Sequence, residues 1–387
     1  MSRERRILFI QYANPAAYPP LLHGTRILAR EGWQVRVLGV ETPGTLPLEW
    51  PRTEGVDCRV MRGTPVGLLL KLQYLIYTAW VVAWALRWRP AVVYASDPLA
   101  APVALVVTRL TGSRLVYHEH DSPGTPRGAG ARAVARRRER AARKADLCVL
   151  PNAQRAEAFA RDTGAAPARV LCVWNCPARD EVRARPQPSR AHVAVYFHGS
   201  INEARLPLAV LDAIARLPGD VRLEFAGYET LGSRGYVERF LRHGGERGLA
   251  RDRLTFLGAG SRAQVLEWAS RCDVGLALMP LDSGDINMRF MVGASNKPFD
   301  YLAVGLPLVV TRLPEWDEAF VKPGYGVSCD PADAASIAAA LEPLVTDAAR
   351  RRAMANAGRA RIEQDWSYEH QFRPVAERLR GWAEEAS

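Results

Sequence analysis

The residues best spaced for chemistry stand in Ser295-Asn296-Lys297-Pro298-Phe299-Asp300-Tyr301-Leu302-Ala303-Val304-Gly305-Leu306-Pro307. Ser295 or Asn296 suits a helix N-cap, Pro298 the first turn, Gly305 the stop, and Pro307 the opening of a buried strand. The free amides and positive dipole end of such a helix attract an anion, and Lys297 beside them suits a diphosphate. Asp300, one turn in, is placed to accept hydrogen bonds from a ribose diol. Plainer readings stand beside these: Asp300 as a first-turn carboxylate steadying the dipole, Lys297 and Arg205 as solvated cations. No Walker motif, GxGxxG, GxSxG elbow or HExxH helix occurs in the required context, so the commonest nucleotide, hydrolase and metalloprotease readings lose support.

A second group is Tyr117-His118-Glu119-His120-Asp121, at the end of a strand-like run. A lone loop histidine is usually a hydrogen-bonded structural residue; within a site it can contact the substrate or serve as a general base. Taken with these residues, the Asp300-Tyr301, Ala303, Gly305, Pro307 pattern resembles that of the family 4 retaining glycosyltransferases, which have the two-Rossmann-domain GT-B fold. The resemblance implies that Asp300 holds the ribose of a donor, usually UDP-linked, and that Ser295, Asn296, Lys297 and Pro298 frame its phosphates. It places His120 in the active site, with His118 as the second choice. Tyr196-Phe197-His198-Gly199-Ser200 with Arg205, and Phe225-Ala226-Gly227, resemble the opening of the donor domain. Gly199, Ser200 and Gly227 are therefore expected to bind donor, and Arg205 and Lys297 to share the catalytic neutralisation of the diphosphate. Tyr18, within Pro15–Leu21, is expected on the acceptor side with His118 and Asp121. Two positions depart from the pattern. Val292 stands where a second acidic residue is common, with Asp285 or the Gly293 amides as substitutes. Ser200 and Leu206 stand where an Arg/Lys pair is usual, leaving Arg205 and Lys297, with Arg289 as a further candidate.

The elements that must position these groups alternate. Ile7–Gln11, a helix over Leu21–Glu31 and Val35–Val40 open the chain; Val92–Ala95, Arg114–Tyr117 and Leu147–Leu150 continue it with helices between. The rhythm repeats from Val193–Phe197 through Val221–Ala226, Leu254–Leu257, Val274–Leu278 and Leu308–Val310. Such alternation implies α/β architecture: two doubly wound parallel-sheet domains facing a cleft, where ligands collect at the carboxyl ends of the strands. The expected boundaries are an acceptor-binding domain over 1–178, a linker over 179–190 containing Arg185-Pro186-Gln187-Pro188-Ser189, a nucleotide-sugar domain over 191–366, and a C-terminal helix over 367–387 returning to the first domain.

The 387 residues carry 52 basic and 41 acidic groups, a formal charge of +11, which points to an anionic partner. Nucleic acid is disfavoured because the basic residues are not interleaved with aromatics. Six scattered cysteines offer no metal-ligand spacing and read as reduced thiols; neither metal nor cofactor is expected, the nucleotide-sugar being a substrate. No signal-peptide pattern precedes Ile7, so a cytosolic location is expected. Leu72–Leu86 is apolar all round but about five residues short of the roughly 20 of a membrane span. It reads first as a core helix, and Arg132–Lys144 as a solvated helix face. Together they suggest attachment to an anionic inner membrane face. The resulting expectation is transfer of a sugar from a nucleotide diphosphate to a glycan or polyprenyl-linked acceptor. A non-catalytic subunit of the same fold and a sugar-nucleotide epimerase are the alternatives.

Overall fold

In a computed structural model of the chain the described residues are 3–42, 48–63, 69–124, 128–183 and 192–386. They divide into two compact units. The first takes the described residues of Met1–Trp174, Asp285–Ala294 and Tyr368–Ser387, the second Asn175–Gly284 and Ser295–Ser367. The Arg185–Ser189 part of the expected linker lies outside the described residues, and residues 179–183 group with the second unit.

The first unit runs β1 (Arg6–Gln11), α1 (Pro19–Arg30), β2 (Gln34–Val40), β3 (Val56–Met61), α2 (Leu69–Trp88), β4 (Val92–Ser96), α3 (Ala101–Thr111), β5 (Arg114–His118), α4 (Gly128–Lys144), β6 (Leu147–Leu150), α5 (Ala153–Thr163) and β7 (Val170–Cys172). The strands pair in parallel in the order β3-β2-β1-β4-β5-β6-β7. Runs such as Ile7-Leu8-Phe9-Ile10 are apolar on both faces because both faces are covered.

The second unit runs β8 (Val193–Ile201), α6 (Ala209–Arg216), β9 (Val221–Glu229), α7 (Tyr236–Glu246), β10 (Leu254–Gly258), α8 (Arg262–Ser270) and β11 (Val274–Ala277). A short α9 (Ile286–Arg289) belongs to the first unit. The second unit resumes with α10 (Asn296–Ala303), β12 (Leu308–Thr311), α11 (Pro314–Trp316), β13 (Gly326–Cys329), α12 (Ala334–Thr346) and α13 (Ala348–Gln364). Its parallel sheet has the order β10-β9-β8-β11-β12-β13. The strand order reverses between β1 and β4 in one sheet and between β8 and β11 in the other, the points at which such sheets receive ligands. The last helix, α14 (Tyr368–Glu385), buries Phe372, Val375 and Leu379 with Phe9 and Val35 on one face of the first sheet, while α2, α3 and α4 line its other face.

Three details differ from the sequence expectation. Helix α2 has 20 residues, extending past Leu72–Leu86 at both ends. It stops because Pro90 cannot continue it and Arg89 turns left-handed at φ 50°. Among the described residues no helix is long and apolar enough to cross a membrane. Residues 285–294, assigned from sequence to the second domain, group with the first unit. Asn287 accepts from Ser122 N and donates to Ser122 O, both at 2.8 Å, and Asn152 donates to Val292 O at 2.9 Å. Finally, the second unit begins at Asn175, four residues before the expected linker.

Candidate functional site

In the second unit the site forms where β8 and β9 end beside α10. Gly199 and Gly227 pair in register on these strands, at φ 119° and 139°. A Cβ on Gly227 would lie 1.8 Å from Gly199 O, and one on Gly199 would lie 3.0 Å from Lys297 Cε. Only glycine fits this conformation and this closeness, so the strand tips present bare backbone. Lys297, second residue of α10, is buried along the Phe197 ring with Nζ 5.5 Å from its centroid. Burial and then the neighbouring Arg205 push its ammonium down to about 7. Arg205 donates from Nη1 to Ser200 Oγ at 2.5 Å, and its buried Nε has no hydrogen-bond partner. Among the described residues neither cation has a carboxylate within 4 Å. Ser295 caps α10 without a side-chain hydrogen bond, and Pro298 has no N–H to satisfy. Two basic groups with no carboxylate within 4 Å, at a glycine-stripped strand edge beside an uncapped helix start, suit a multiply charged anion.

Asp300 lies at the back of this group, fully buried. Arg262 grips it with two hydrogen bonds, His198 Nε2 lies 3.2 Å from Oδ2, and Arg262 also bonds both oxygens of Glu181 at 2.9 Å. Burial alone would raise the Asp300 pKa; Arg262 and His198 override it and hold the carboxylate below its usual range. Gly199, Ser200, Arg205, Gly227, Ser295, Asn296, Lys297, Pro298 and Asp300 thus stand together in one unit. The other residues weighed for this site lie in the first unit: Arg289 stacks over Phe290, Asp285 caps α9, Val292 is buried, and Gly293 packs against Trp174 and Pro151.

The first unit holds a second polar cluster where β1, β4 and β5 end. His118 and His120 are buried with ring centroids 3.9 Å apart, and Tyr18 lies 5.3 Å from His120. The Tyr94 hydroxyl lies 2.8 Å from His118 Nδ1. Burial, then His120 and Arg155, hold His118 well below the usual imidazole range, so its ring is neutral. Burial and Arg155 push His120 down to about 3; both its ring nitrogens are buried without partners. Gln11 Oε1, Ser96 Oγ, His118 Nε2 and two nitrogens of Arg155 are also buried without partners, a density of orphaned polar atoms that folding alone does not favour. Asp121 is exposed, 3.8 Å from Arg155 Nη2. Glu119 is bound by Arg138 at 2.5 and 2.7 Å and by the Tyr117 hydroxyl at 2.8 Å, which turns one arginine of the basic run inward.

Sequence reasoning passed over Arg262, Glu181 and His198 in the second unit and Asp97 in the first. Asp97 follows β4 at φ 68°, rare for a non-glycine residue and marking a constrained position. Its Oδ1 accepts from His120 N at 2.9 Å and its Oδ2 from Gln11 Nε2 at 3.2 Å. Burial pushes its carboxyl up to about 7 against the pull of the His120 N–H. The signal available was Ser96-Asp97-Pro98 at a strand end, indistinguishable from an ordinary turn. Among the described residues no three His, Cys, Asp or Glu side chains stand together as a metal site.

A family model described as a glycosyl transferase 4-like domain matches residues 21–176, and one described as glycosyl transferase-like matches residues 208–377. The chain belongs to the family 4 glycosyltransferases, with the GT-B fold. It is 24% identical over 397 residues to the glycogen synthase of Mycobacterium tuberculosis H37Rv, covering 94% of this chain and 92% of that one. The Anabaena protein Alr3699/HepE, solved in complex with UDP and glucose, matches with a TM-score of 0.72 at 19% identity over 97% of this chain and 100% of that chain. The sucrose-phosphate synthase of Thermosynechococcus elongatus matches with a TM-score of 0.73 at 16% identity, over 99% and 100%. At these identities the structural likeness speaks for the fold.

Proposed function

We propose that this glycosyltransferase moves a sugar from a UDP-sugar to a glycan or polyprenyl-linked acceptor with retention of configuration, in the synthesis of cell-surface polysaccharide or glycolipid. The observation that carries the donor reading is the pair Lys297 and Arg205, buried or half-buried at the Gly199 and Gly227 strand tips, neither with a carboxylate within 4 Å among the described residues. UDP is favoured because the Anabaena relative was solved with it. As the bond from the anomeric carbon to the diphosphate breaks and that to the acceptor hydroxyl forms, negative charge grows on the departing diphosphate. Lys297, Arg205 and the α10 amides are the groups suited to receive it. In the first unit His120, pushed down to about 3, is neutral and weakly basic at pH 7. Asp97, near 7, is better matched to take the acceptor proton. Six cysteines, none of them in a disulfide, suit a reducing compartment and hence the cytosol.

The test is a thermal-shift panel of UDP, GDP, ADP and their sugar conjugates, with Lys297→Ala and Arg205→Ala beside the wild type. A nucleotide at 100 times its dissociation constant stabilises by about 2.7 kcal/mol. Stabilisation by one nucleotide series, lost in both variants, is the expected result. No shift with any nucleotide would overturn the donor reading. Binding without sugar transfer or hydrolysis would favour a non-catalytic subunit, and interconversion of the free nucleotide-sugar an epimerase.

A further inference from the structure

A helix apolar on every side belongs either inside a core or inside a membrane. Helix α2 is wholly in neither. Tyr77, Val81 and Ala85 are sealed against the first sheet, while the opposite side exposes Leu72, Leu75, Ile76 and Leu86, with Leu75 64% exposed. Ala79 and Ala83 are exposed between them, so the stripe runs unbroken at helical spacing. The neighbouring α3 adds Val106 and Leu110, and Leu99 precedes it. Of the eleven exposed large apolar side chains among the described residues, eight lie on α2, on α3 or in the turn that leads into α3. Single exposed leucines are ordinary; a concentration on two adjoining helices marks a contact surface.

The charges beside this surface identify what it meets. Helix α4, packed on the other side of α3 in the same layer, turns Arg132, Arg136, Arg137 and Arg140 outward. Its cations reach the apolar stripe: Arg137 is near enough to Tyr74 of α2 to oppose the rise that burial imposes on that phenol, and the Tyr74 hydroxyl donates to Leu99 O at 2.8 Å. Helices α2 and α3 contain no carboxylate, and α4 has only Glu139, which lies 4.0 Å from Arg143. An apolar stripe rimmed by unopposed arginines is complementary to acyl chains beneath anionic headgroups. A second copy of the chain fits less well, since a two-fold pairing through this face would bring the two arginine clusters toward each other.

We propose that the outer face of the α2–α3–α4 layer docks on an anionic lipid bilayer, with the α2 stripe at the headgroup–acyl boundary and the α4 arginines on the headgroups. This stands independently of the donor and acceptor chemistry. The experiment is co-sedimentation of the full chain with vesicles of phosphatidylcholine alone and of phosphatidylcholine with phosphatidylglycerol, at low and high salt. The expected result is partition onto the anionic vesicles, weakened by salt. Arg136→Ser and Arg137→Ser each lower it about fivefold, and Leu75→Glu with Ile76→Glu removes it. None of these residues touches the core, so far-ultraviolet circular dichroism and the melting temperature should stay at wild-type values. No partition, or partition unchanged in both kinds of variant, overturns the proposal. So does a dimer by light scattering that Leu75→Glu dissolves while vesicles are ignored, which would give the face to a second copy.

Discussion

Arg262 holds Asp300 through both guanidinium nitrogens, Nη1 to Oδ2 at 2.7 Å and Nη2 to Oδ1 at 2.6 Å. The carboxylate expected to meet a donor ribose is therefore committed within its own unit, since Oδ2 is also 3.2 Å from His198 Nε2. A carboxylate accepts about four hydrogen bonds, so Oδ1 keeps capacity for one hydroxyl. Removing one partner of such a buried pair leaves an uncompensated charge and costs about 3–5 kcal/mol. Arg262→Met should destabilise by that amount in urea denaturation, because both Asp300 and Glu181 lose their cation. Arg262→Met with Asp300→Asn should recover part of the loss. Equal stability of the single and double variants would mean that the pair is not coupled.

Gly227 at a strand tip and Gly245 inside α7 give predictions of opposite sign. Gly227→Ala places a methyl group 1.8 Å from Gly199 O at φ 139°. Backbone strain and overpacking together should cost about 2–6 kcal/mol and remove nucleotide binding. Gly245, inside α7 with open space around its Cβ position, should respond to Gly245→Ala with a gain of about 0.5–1 kcal/mol. Thermal melts of the two variants against the wild type decide both.

What could be read from the sequence was whatever lay close along the chain or repeated. The strands were legible because parallel sheets covered on both faces need continuous apolar runs, as in Ile7–Ile10 and Val193–Phe197. Lys297, Pro298 and Asp300 could be grouped because one short helix carries them. Arg262 could not, since its partners Glu181 and Asp300 lie 81 and 38 residues away. The transfer of 285–294 to the first unit depends on Asn287 meeting Ser122 across 165 residues, for which no local pattern exists. The exposure of α2 was hidden for a different reason. A helix apolar all round has no polar face to show which side is outward.

Asp97 supplies a pH prediction. With its carboxyl near 7, the proposed proton acceptor becomes competent as pH rises through about 7, giving an acidic limb to the kcat profile. Asp97→Asn should abolish that limb and lower kcat about 100-fold while leaving nucleotide affinity at wild type, because the proposed donor cluster belongs to the other unit. Stability moves the other way. The folded pKa is above the ordinary 3.8, so between about 4 and 7 the native state holds the extra proton, and this group's contribution falls as pH rises across that window. The wild type should therefore lose stability relative to Asp97→Asn from pH 4 to 7, measured by paired urea titrations. A constant difference would place the carboxyl's titration elsewhere.

Lys297 makes the proposed donor site itself titratable. In the free protein its ammonium is pushed down to about 7 by burial and by Arg205, so at pH 8 most of the molecules hold a neutral amine. A bound diphosphate favours the charged form and draws the pKa back toward its ordinary 10.5, so binding takes up a proton. Affinity for UDP should then fall as pH rises above 7, by up to tenfold per unit, since one proton is linked to one ligand. Calorimetry in buffers of differing ionisation enthalpy should give proton uptake near one at pH 8 for the wild type. Lys297→Arg, charged throughout, should bind with little pH dependence and no uptake. Uptake that persisted in Lys297→Arg would assign the proton to another group and remove Lys297 from the phosphate site.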